Sequence, residues 1–486
     1  MNALLTLSAL LLGVGIIAVV PEQGGAALLV CAVAASIAGL IISRSEKDSL
    51  FLVRLFVAAL LIRVLIGTII FGFNLQEFFG GDAQTYDVFG YSLFKVWQGD
   101  HYYQSLVNRF IGESGASAWG MIYMVAFIYR IVGRNMLAVQ FVNAVFGAAT
   151  APVIFLCAQH IFSNIKVARL SAYFAAFYPS LVLWSSQGLK DGPIVFLLAT
   201  CILATLKLGE KLSLKYMVVL ACSLFALLSL RFYIFYMMVA AIAGAFAIGM
   251  RPVTAQSFIR QFVVISVIGL SLTYFGVTRY ANVQFETYGN LEAVQRSRAD
   301  LVRSAESGFG GDVDVSTAGG ALRVLPVGMV YLLFAPFPWQ LASLRQSITL
   351  PEMVVWWVSF PLLMLGLWFA IKYYLRQVSP ILIFSFMLTL AYSLFQGNVG
   401  TAYRQRSQLL VFYFIFVAVG IVLLQEKKED YRRKRALERQ AFTDGKNRLQ
   451  ARPMSAPPHP WKDESDESGA DKAKVQSEQD KEEQEG

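Results

Sequence analysis

Long apolar runs separated by short polar stretches dominate the chain. Fourteen such runs are recognisable, and most have about the 20 residues that a helix needs to cross a bilayer. They lie at approximately 3–20, 26–43, 51–73, 118–133, 136–160, 167–187, 189–206, 214–230, 232–250, 259–277, 325–338, 353–372, 380–396 and 408–425. The pattern predicts an all-α polytopic membrane protein whose first run is retained and not cleaved as a signal peptide.

Basic residues between the runs predict the orientation of the helices. Arg44 and Lys47 follow the second run and place that loop in the cytoplasm, and the later basic loops alternate in agreement. The long polar segments 74–117 and 278–323 then lie outside. The basic residues after the last run belong inside, so the number of crossings is even. We therefore predict about twelve full transmembrane helices and two re-entrant or incomplete ones, which are tolerated only where protein or a water-filled cavity surrounds them.

The same pattern divides the chain into three parts. Residues 1–50 are predicted to form two additional N-terminal transmembrane helices, and residues 51–425 the main transmembrane domain. Residues 426–486 are rich in charge and proline and contain almost no large aliphatic side chains. Such a segment cannot bury enough apolar surface to fold alone, so we predict a disordered cytoplasmic tail.

Composition narrows the class of function. Of the 486 residues, 56% are hydrophobic and 15% are charged, and the mean hydropathy is +0.56. The net charge of +9 lies between apolar runs, where it sets topology and contacts lipid headgroups, so we expect no nucleic-acid partner. The four cysteines and three histidines have no metal-ligand spacing. No glycine-rich phosphate loop supports a nucleotide-driven pump.

The stretch from Gly80 to Asp87 places two acids just beyond the third apolar run. From Ala83 to Trp97 apolar and aromatic residues recur at steps of three and four, which predicts a membrane-surface helix that Gly99 ends. Asp82 precedes this helix. It is either a functional acid, the N-cap of the helix, or both.

Several ionisable residues share the predicted outer side. Arginine binds phosphate oxygens bidentately and never deprotonates, so acids together with arginines predict a base beside an anion-binding site for a lipid-linked phosphate. The alternatives are snorkelling arginines, a local Lys–Asp ion pair at a helix start and an interfacial arginine anchor. The candidate substrate-binding residues are Asp87, Lys190, Asp191, Arg231, Tyr403, Arg404 and Arg406, and Asp82 is the candidate catalytic acid.

The arrangement of these residues resembles the GT-C superfamily of membrane glycosyltransferases, which includes protein O-mannosyltransferases and lipid A aminoarabinose transferases. The resemblance covers roughly residues 51–250: an acid in the first outer loop, surface helices, the run starting at Trp119, and the alanine-rich 168–184. Residues Gly397 to Arg406 resemble a late motif of bacterial envelope-polysaccharide members. The resemblance implies that Asp82 is the first-loop catalytic acid and makes Asp191 the counterpart of the second acid.

Two departures from the superfamily limit what can be transferred from it. The chain has two additional N-terminal helices, and a large C-terminal soluble domain is not expected. Recognition of the acceptor is therefore not implied by the resemblance.

The implied function is transfer of a sugar from a polyprenyl-phosphate donor to a cell-envelope glycan, lipid or protein acceptor. The reaction is expected at the outer face of a bacterial inner membrane, among membrane lipids. Asp82 would act as general base, and Arg404, helped by Arg231 or Lys190, would stabilise the departing phosphate. No cofactor is indicated, and the sequence leaves open whether the reaction uses a divalent metal ion.

Two other functions are compatible with the chain. One is a polysaccharide polymerase or ligase that uses a polyprenyl-diphosphate glycan, in which the arginines matter more than an acidic base. The other is a lipid-linked sugar transporter or flippase. It is disfavoured because the polar groups gather at one face and no duplicated half is visible.

Overall fold

The structure is a computed structural model that describes residues 3–45, 48–79, 81–113, 119–249, 263, 266, 269, 290–303, 308–309, 314–341 and 343–450. The regular elements of these residues are helices, which agrees with the predicted all-α class. Residues Met1–Leu424 form one compact unit, and the candidate site described below belongs to it.

The first half of the chain forms thirteen described α-helices, with a short 3-10 helix, His101–Tyr103, between α5 and α6. They are α1 (Ala3–Val19), α2 (Gly24–Ser43), α3 (Ser49–Gly72), α4 (Gln76–Phe79), α5 (Asp82–Trp97), α6 (Gln104–Glu113), α7 (Trp119–Val132), α8 (Met136–Phe162), α9 (Ile165–Phe177), α10 (Pro179–Ser185), α11 (Asp191–Glu210), α12 (Leu214–Leu230) and α13 (Phe232–Ile248).

Four further described α-helices follow: α14 (Leu291–Arg303), α15 (Ala318–Phe334), α16 (Leu344–Phe395) and α17 (Val399–Gln450). The backbone of α16 departs from helical geometry at Tyr374. Two runs predicted as separate helices, 353–372 and 380–396, therefore continue one another across a kink. Predicted run 259–277 lies almost wholly outside the described residues.

Six described helices are long and apolar enough to cross a membrane, namely α2, α3, α8, α11, α16 and residues 399–440 of α17. Five shorter apolar helices accompany them: α1, α7, α12, α13 and α15. These helices agree with a polytopic membrane protein. The predicted count of about twelve crossings stays a prediction.

Helix α8 is the central element of the compact unit and packs against α2, α3, α9 and α11. Most of its residues are buried, and many are alanine or glycine, which lets neighbouring helices approach closely. The predicted run 167–187 divides beside it, because Pro179 cannot continue α9 and instead begins α10. Helix α10 ends at Ser185, and the turn 186–190 that follows it carries Lys190 and leads into α11.

Two expectations about chain ends and caps need correction. Helix α5 ends at Trp97, before Gly99, as predicted, but it begins at Asp82 instead of Ala83. Its N-cap is Gly81, and Asp82 makes no capping hydrogen bond. The carboxylate of Asp82 binds an arginine instead. Helix α17 continues to Gln450, so the first part of the tail predicted to be disordered is helical, and residues 451–486 lie outside the described residues.

Candidate active site

The guanidinium of Arg404 joins two carboxylates that are far apart in the sequence. Its Nη1 donates to Asp82 Oδ2 at 2.7 Å, and its Nε donates to Asp191 Oδ2 at 2.7 Å. The three side chains come from the starts of helices α5, α11 and α17. Their exposures differ: the Asp191 side chain is 1% exposed and the Asp82 side chain 54%. Asp82 is therefore the accessible acid of the pair.

Arg231 is a second cation on Asp191. It lies between α12 and α13 with an extended backbone, and its Nη2 is 3.7 Å from Asp191 Oδ1. On its other side, its Nη1 donates to the hydroxyl of Tyr392 at 3.3 Å, and that hydroxyl donates to Gln408 Oε1 at 2.7 Å. Helices α16 and α17 thus hold Arg231 in place. Two arginines together offset the buried charge of Asp191, which would be costly alone.

Lys190 directly precedes α11 and is partly buried. No carboxylate among the described residues lies within ion-pair distance of its ammonium group. Burial, together with the nearby positive charge of Arg231, lowers the pKa of Lys190 to about 7. Lys190 is therefore present in both its charged and its neutral form near neutral pH, and a bound anion would favour the charged form.

A cavity of about 920 Å³ lies beside these groups. Its charged lining residues are Asp82, Lys190, Arg231, Arg345 and Arg404. Its apolar lining includes Phe78, Phe79, Leu183, Trp184, Leu344 and Ile348. A cavity that combines cations with a broad apolar wall suits a ligand with an anionic head and a hydrocarbon chain.

Arg345 was not among the residues predicted from the sequence. It lies in the first turn of α16, with its guanidinium 5.4 Å from the ring centroid of Phe78. Its described polar contact is a 3.5 Å approach of Nη2 to the carbonyl of Glu77, and no described carboxylate pairs with it. The sequence signal is weak, because an arginine before an apolar run is ordinarily an interfacial anchor.

Tyr403 lines the cavity and binds a second residue that the sequence reasoning missed. Its hydroxyl donates to Glu352 Oε2 at 2.7 Å, and its ring packs near Trp184. Glu352 is buried within α16, a helix long enough to span a membrane. An acid inside such a run is itself a signal of a functional or structural polar site, and here it orients Tyr403.

Three of the predicted residues are not lining residues of the cavity, and of these Asp191 forms ion pairs with two residues that line it, Arg231 and Arg404. Arg406 is 1% exposed and donates to the carbonyls of Leu333 and Ala335 at the end of α15. Asp87 lies on another side of α5, where it accepts hydrogen bonds from Arg134 and from the Tyr129 hydroxyl. The structure therefore brings together Asp82, Lys190, Asp191, Arg231, Tyr403 and Arg404, and it leaves Asp87 and Arg406 in contacts of their own.

Metal ligation receives no support from the described carboxylates. Among the residues that the structure describes, no three His, Cys, Asp or Glu side chains come together. Asp82 and Asp191 face the same guanidinium, and a cation there would compete with it.

Comparison with known proteins adds an independent observation. A comparison with curated proteins found no match. A solved structure of the archaeal oligosaccharyltransferase AglB from Archaeoglobus fulgidus, in complex with an inhibitory peptide and a dolichol-phosphate, aligns at 12% identity with a TM-score of 0.37. The alignment covers 70% of this chain and 45% of that one, so this chain spans less than half of that neighbour's length.

The family model of dolichyl-phosphate-mannose-protein mannosyltransferases matches residues 118–275, about a third of the chain. The matched segment contains Lys190, Asp191 and Arg231, whereas Asp82 and Arg404 lie outside it. This match confirms the resemblance to the GT-C superfamily of integral membrane glycosyltransferases that the sequence predicts.

Proposed function

We propose that this protein transfers a sugar from a polyprenyl-phosphate-linked donor to an acceptor hydroxyl at the outer face of a bacterial inner membrane. The observation that carries the proposal is the bridge from Arg404 to both Asp82 and Asp191 at the wall of a large cavity. The family match at residues 118–275 supports glycosyl transfer from a lipid-linked donor. The proposed acceptor is a cell-envelope glycan, lipid or protein.

The charges of the site favour an anion. Asp82 and Asp191 offset Arg404 and Arg231, which leaves the positive charges of Arg345 and of protonated Lys190. A donor phosphodiester carries one negative charge, and the departing polyprenyl phosphate gains a second one. Cations that are already in place stabilise this developing charge, and such preorganised electrostatic stabilisation is the largest source of rate in many enzymes.

Asp82 is placed to act as the general base. In the proposed step its carboxylate takes the proton of the acceptor hydroxyl, and the hydroxyl oxygen forms the new bond to the anomeric carbon. The bond from that carbon to the phosphate oxygen breaks, and its electron pair leaves with the phosphate. Asp82 suits this role because its side chain is exposed at the cavity beside Arg404, whereas Asp191 is buried between two arginines.

Arg404 then has two tasks. In the structure it holds Asp82 through Nη1, while its Nε and Nη2 remain with Asp191. A phosphate oxygen that enters the cavity would compete with Asp82 for Nη1 and free that carboxylate to accept a proton. Asp191 keeps the guanidinium in position during this exchange. Binding of the donor and activation of the base are coupled in this way.

A donor linked through a diphosphate is the second candidate. Four cations, Lys190, Arg231, Arg345 and Arg404, line the cavity, and a diphosphate carries more charge for them to bind. A protein with this donor would be a polysaccharide polymerase or ligase. The two candidates differ in the number of phosphates on the lipid, which can be measured directly.

The deciding experiment identifies the lipid that accumulates when the gene is deleted. Mass spectrometry of the extracted lipids should show a sugar on a polyprenyl monophosphate that disappears when the wild-type gene is restored. Accumulation of a diphosphate-linked glycan would select the second candidate. An unchanged pool of both lipid classes would reject glycosyl transfer from either donor. Purified protein should then consume the identified lipid and release the matching polyprenyl phosphate.

A further inference from the structure

The turn 186–190 between α10 and α11 carries Lys190 and leads directly into Asp191. It is a short connection, yet Ser186, Gln187 and Leu189 are fully buried. Buried backbone outside regular structure needs other hydrogen-bond partners. Two carbonyls of the turn accept from a side chain of α8, and a side chain of α3 binds Ser185 just before the turn; neither helix lines the large cavity.

Asn143 in α8 spans the turn with one side-chain amide. Its Nδ2 donates to the carbonyl of Gln187 at 2.7 Å and to the carbonyl of Leu189 at 2.7 Å. Asn143 is itself fully buried. Both N–H bonds of one rigid amide group thus fix the carbonyls on either side of Gly188, immediately before Lys190.

Arg63 in α3 secures the start of the turn. Its Nε donates to Ser185 Oγ at 2.8 Å, and its Nη1 donates to the carbonyl of Ala176 at 2.7 Å. Arg63 is 1% exposed in a helix long enough to span the membrane, and no described carboxylate pairs with it. Its charge is instead compensated by carbonyls at the C-terminus of α9, where the helix dipole favours a cation.

Two glycines allow the helices to come this close. A Cβ on Gly67 of α3 would lie 2.9 Å from the carbonyl oxygen of Ser186. A Cβ on Gly147 of α8 would lie 2.4 Å from Ser185 Oγ and 2.8 Å from Arg63 Nε. Helices α3 and α8 therefore contact the turn through their backbones as well as through Arg63 and Asn143.

We propose that Arg63 and Asn143 form a clamp that positions the turn 186–190 for the reaction. The clamp would set the distance of Lys190 and Asp191 from Arg404, and it would do so without touching the substrate. Arg63 and Asp191 line one small cavity of about 10 Å³. Because protein interiors are closely packed, a shift of one of these side chains would displace the other. This inference rests on the proposed glycosyl transfer.

The test is a double-mutant cycle of Asn143→Ala with Lys190→Ala, measured as kcat and KM for the polyprenyl-phosphate sugar identified above. Misplacement of a charge-stabilising group by about 1 Å can cost up to ~10²-fold, so Asn143→Ala should lower kcat about 10–100-fold and leave KM nearly unchanged. With Lys190 already removed, the same substitution should cost less, because one of the two groups that the clamp positions is gone. Equal losses in both backgrounds would overturn the clamp.

Asn135→Ala is the matched control. Asn135 is a buried asparagine that caps the start of the same helix, and its side chain accepts from Ala138 N and donates to the Gln23 carbonyl, each at 2.9 Å. Its loss should lower thermal stability and leave kcat unchanged. Ser185→Ala, a smaller change, removes the acceptor of Arg63 Nε and should lower kcat less than Asn143→Ala does. It keeps the test valid if Asn143→Ala does not fold.

Hydrogen exchange of the peptide covering 186–190 separates failure of the clamp from failure of the proposed function. Asn143→Ala should speed exchange there, and Asn135→Ala should not. Unchanged exchange in Asn143→Ala would overturn the clamp whether or not the protein has activity. A wild-type protein that turns over no lipid-linked sugar would instead reject the proposed function.

Discussion

Arg404 and Arg406 lie two residues apart on one helix and compensate their charges in different ways. Arg404 binds the carboxylates of Asp82 and Asp191 at the wall of a large cavity. Arg406 is buried and donates to carbonyls at the end of α15, with no described carboxylate in ion-pair distance. A buried arginine is therefore not by itself a ligand site. The compensating group, and whether a ligand can replace it, decides the role.

The first outer loop repeats this contrast with acids. Asp82 faces the cavity and its side chain is 54% exposed, whereas the Asp87 side chain is 13% exposed and held by Arg134 and Tyr129. They are five residues apart on a helix with about 3.6 residues per turn. This spacing is not a whole number of turns, so their side chains point to different sides. In each pair, one residue is accessible to a substrate, and the other makes contacts that stabilise the fold.

The largest expected effect comes from replacing the accessible acid. Loss of a general base costs about 10²–10⁴-fold in rate, so Asp82→Asn should nearly abolish turnover of the lipid-linked donor. Asp87→Asn should lower the free energy of unfolding by about 1–3 kcal/mol, because Arg134 and Tyr129 lose a charged partner, and kcat should change little. Steady-state kinetics and thermal unfolding in detergent measure both. Near wild-type turnover by folded Asp82→Asn would remove Asp82 from catalysis.

The next effect concerns the two arginines. Arg404→Lys keeps the charge but cannot bridge two carboxylates, and loss of one preorganised donor costs about 10²–10³-fold in kcat. Arg406→Lys should lower the yield of folded protein, while kcat per folded molecule stays within about threefold of wild type. Active-site titration with a bound donor analogue gives the folded fraction. An equal loss of kcat in Arg406→Lys and Arg404→Lys would show that the two arginines do not differ in role.

A smaller effect should appear in the pH dependence of donor binding. The pKa of Lys190 is lowered to about 7, so its positive charge is present below this pH and lost above it. The affinity for the phosphodiester donor should fall about 3–10-fold as pH rises from 6 to 8, because one nearby cation is lost while Arg231 and Arg404 stay charged. KM measured across this range should follow that fall in wild type. Lys190→Met should give a flat profile, and a fall of the same size in that variant would assign the effect to another group.

The smallest effect is expected at the C-terminus. The helical segment 425–450 lies outside the compact unit that holds the site, so truncation after Lys428 should change kcat by less than about twofold. Activity of purified truncated protein in nanodiscs checks this. A loss of activity that returns when the segment is supplied as a separate peptide would assign it a part in the reaction.

The sequence predicted much of the site because its residue types are rare in apolar segments. Asp191, Arg231 and Arg404 stood out for this reason, and the alternation of basic loops placed them with Asp82 on one face. It could not separate Arg404 from Arg406, since both precede the same apolar run. It also missed Arg345 and Glu352, whose roles depend on helices distant in the chain.

By itself the sequence determined the helical membrane class and the end of α5, and it predicted that the polar groups gather at the outer face. These features depend on local periodicity and on the cost of exposing polar backbone and charge to lipid, which act over a few residues at a time. Only the tertiary structure decided which cations bind Asp82 and Asp191 and how Arg63 and Asn143 hold the turn 186–190. The contacts of Arg404 with Asp82, of Arg63 with Ser185 and of Asn143 with Gln187 join residues more than 40 positions apart. Helix packing, which no local pattern records, brings them within 3 Å.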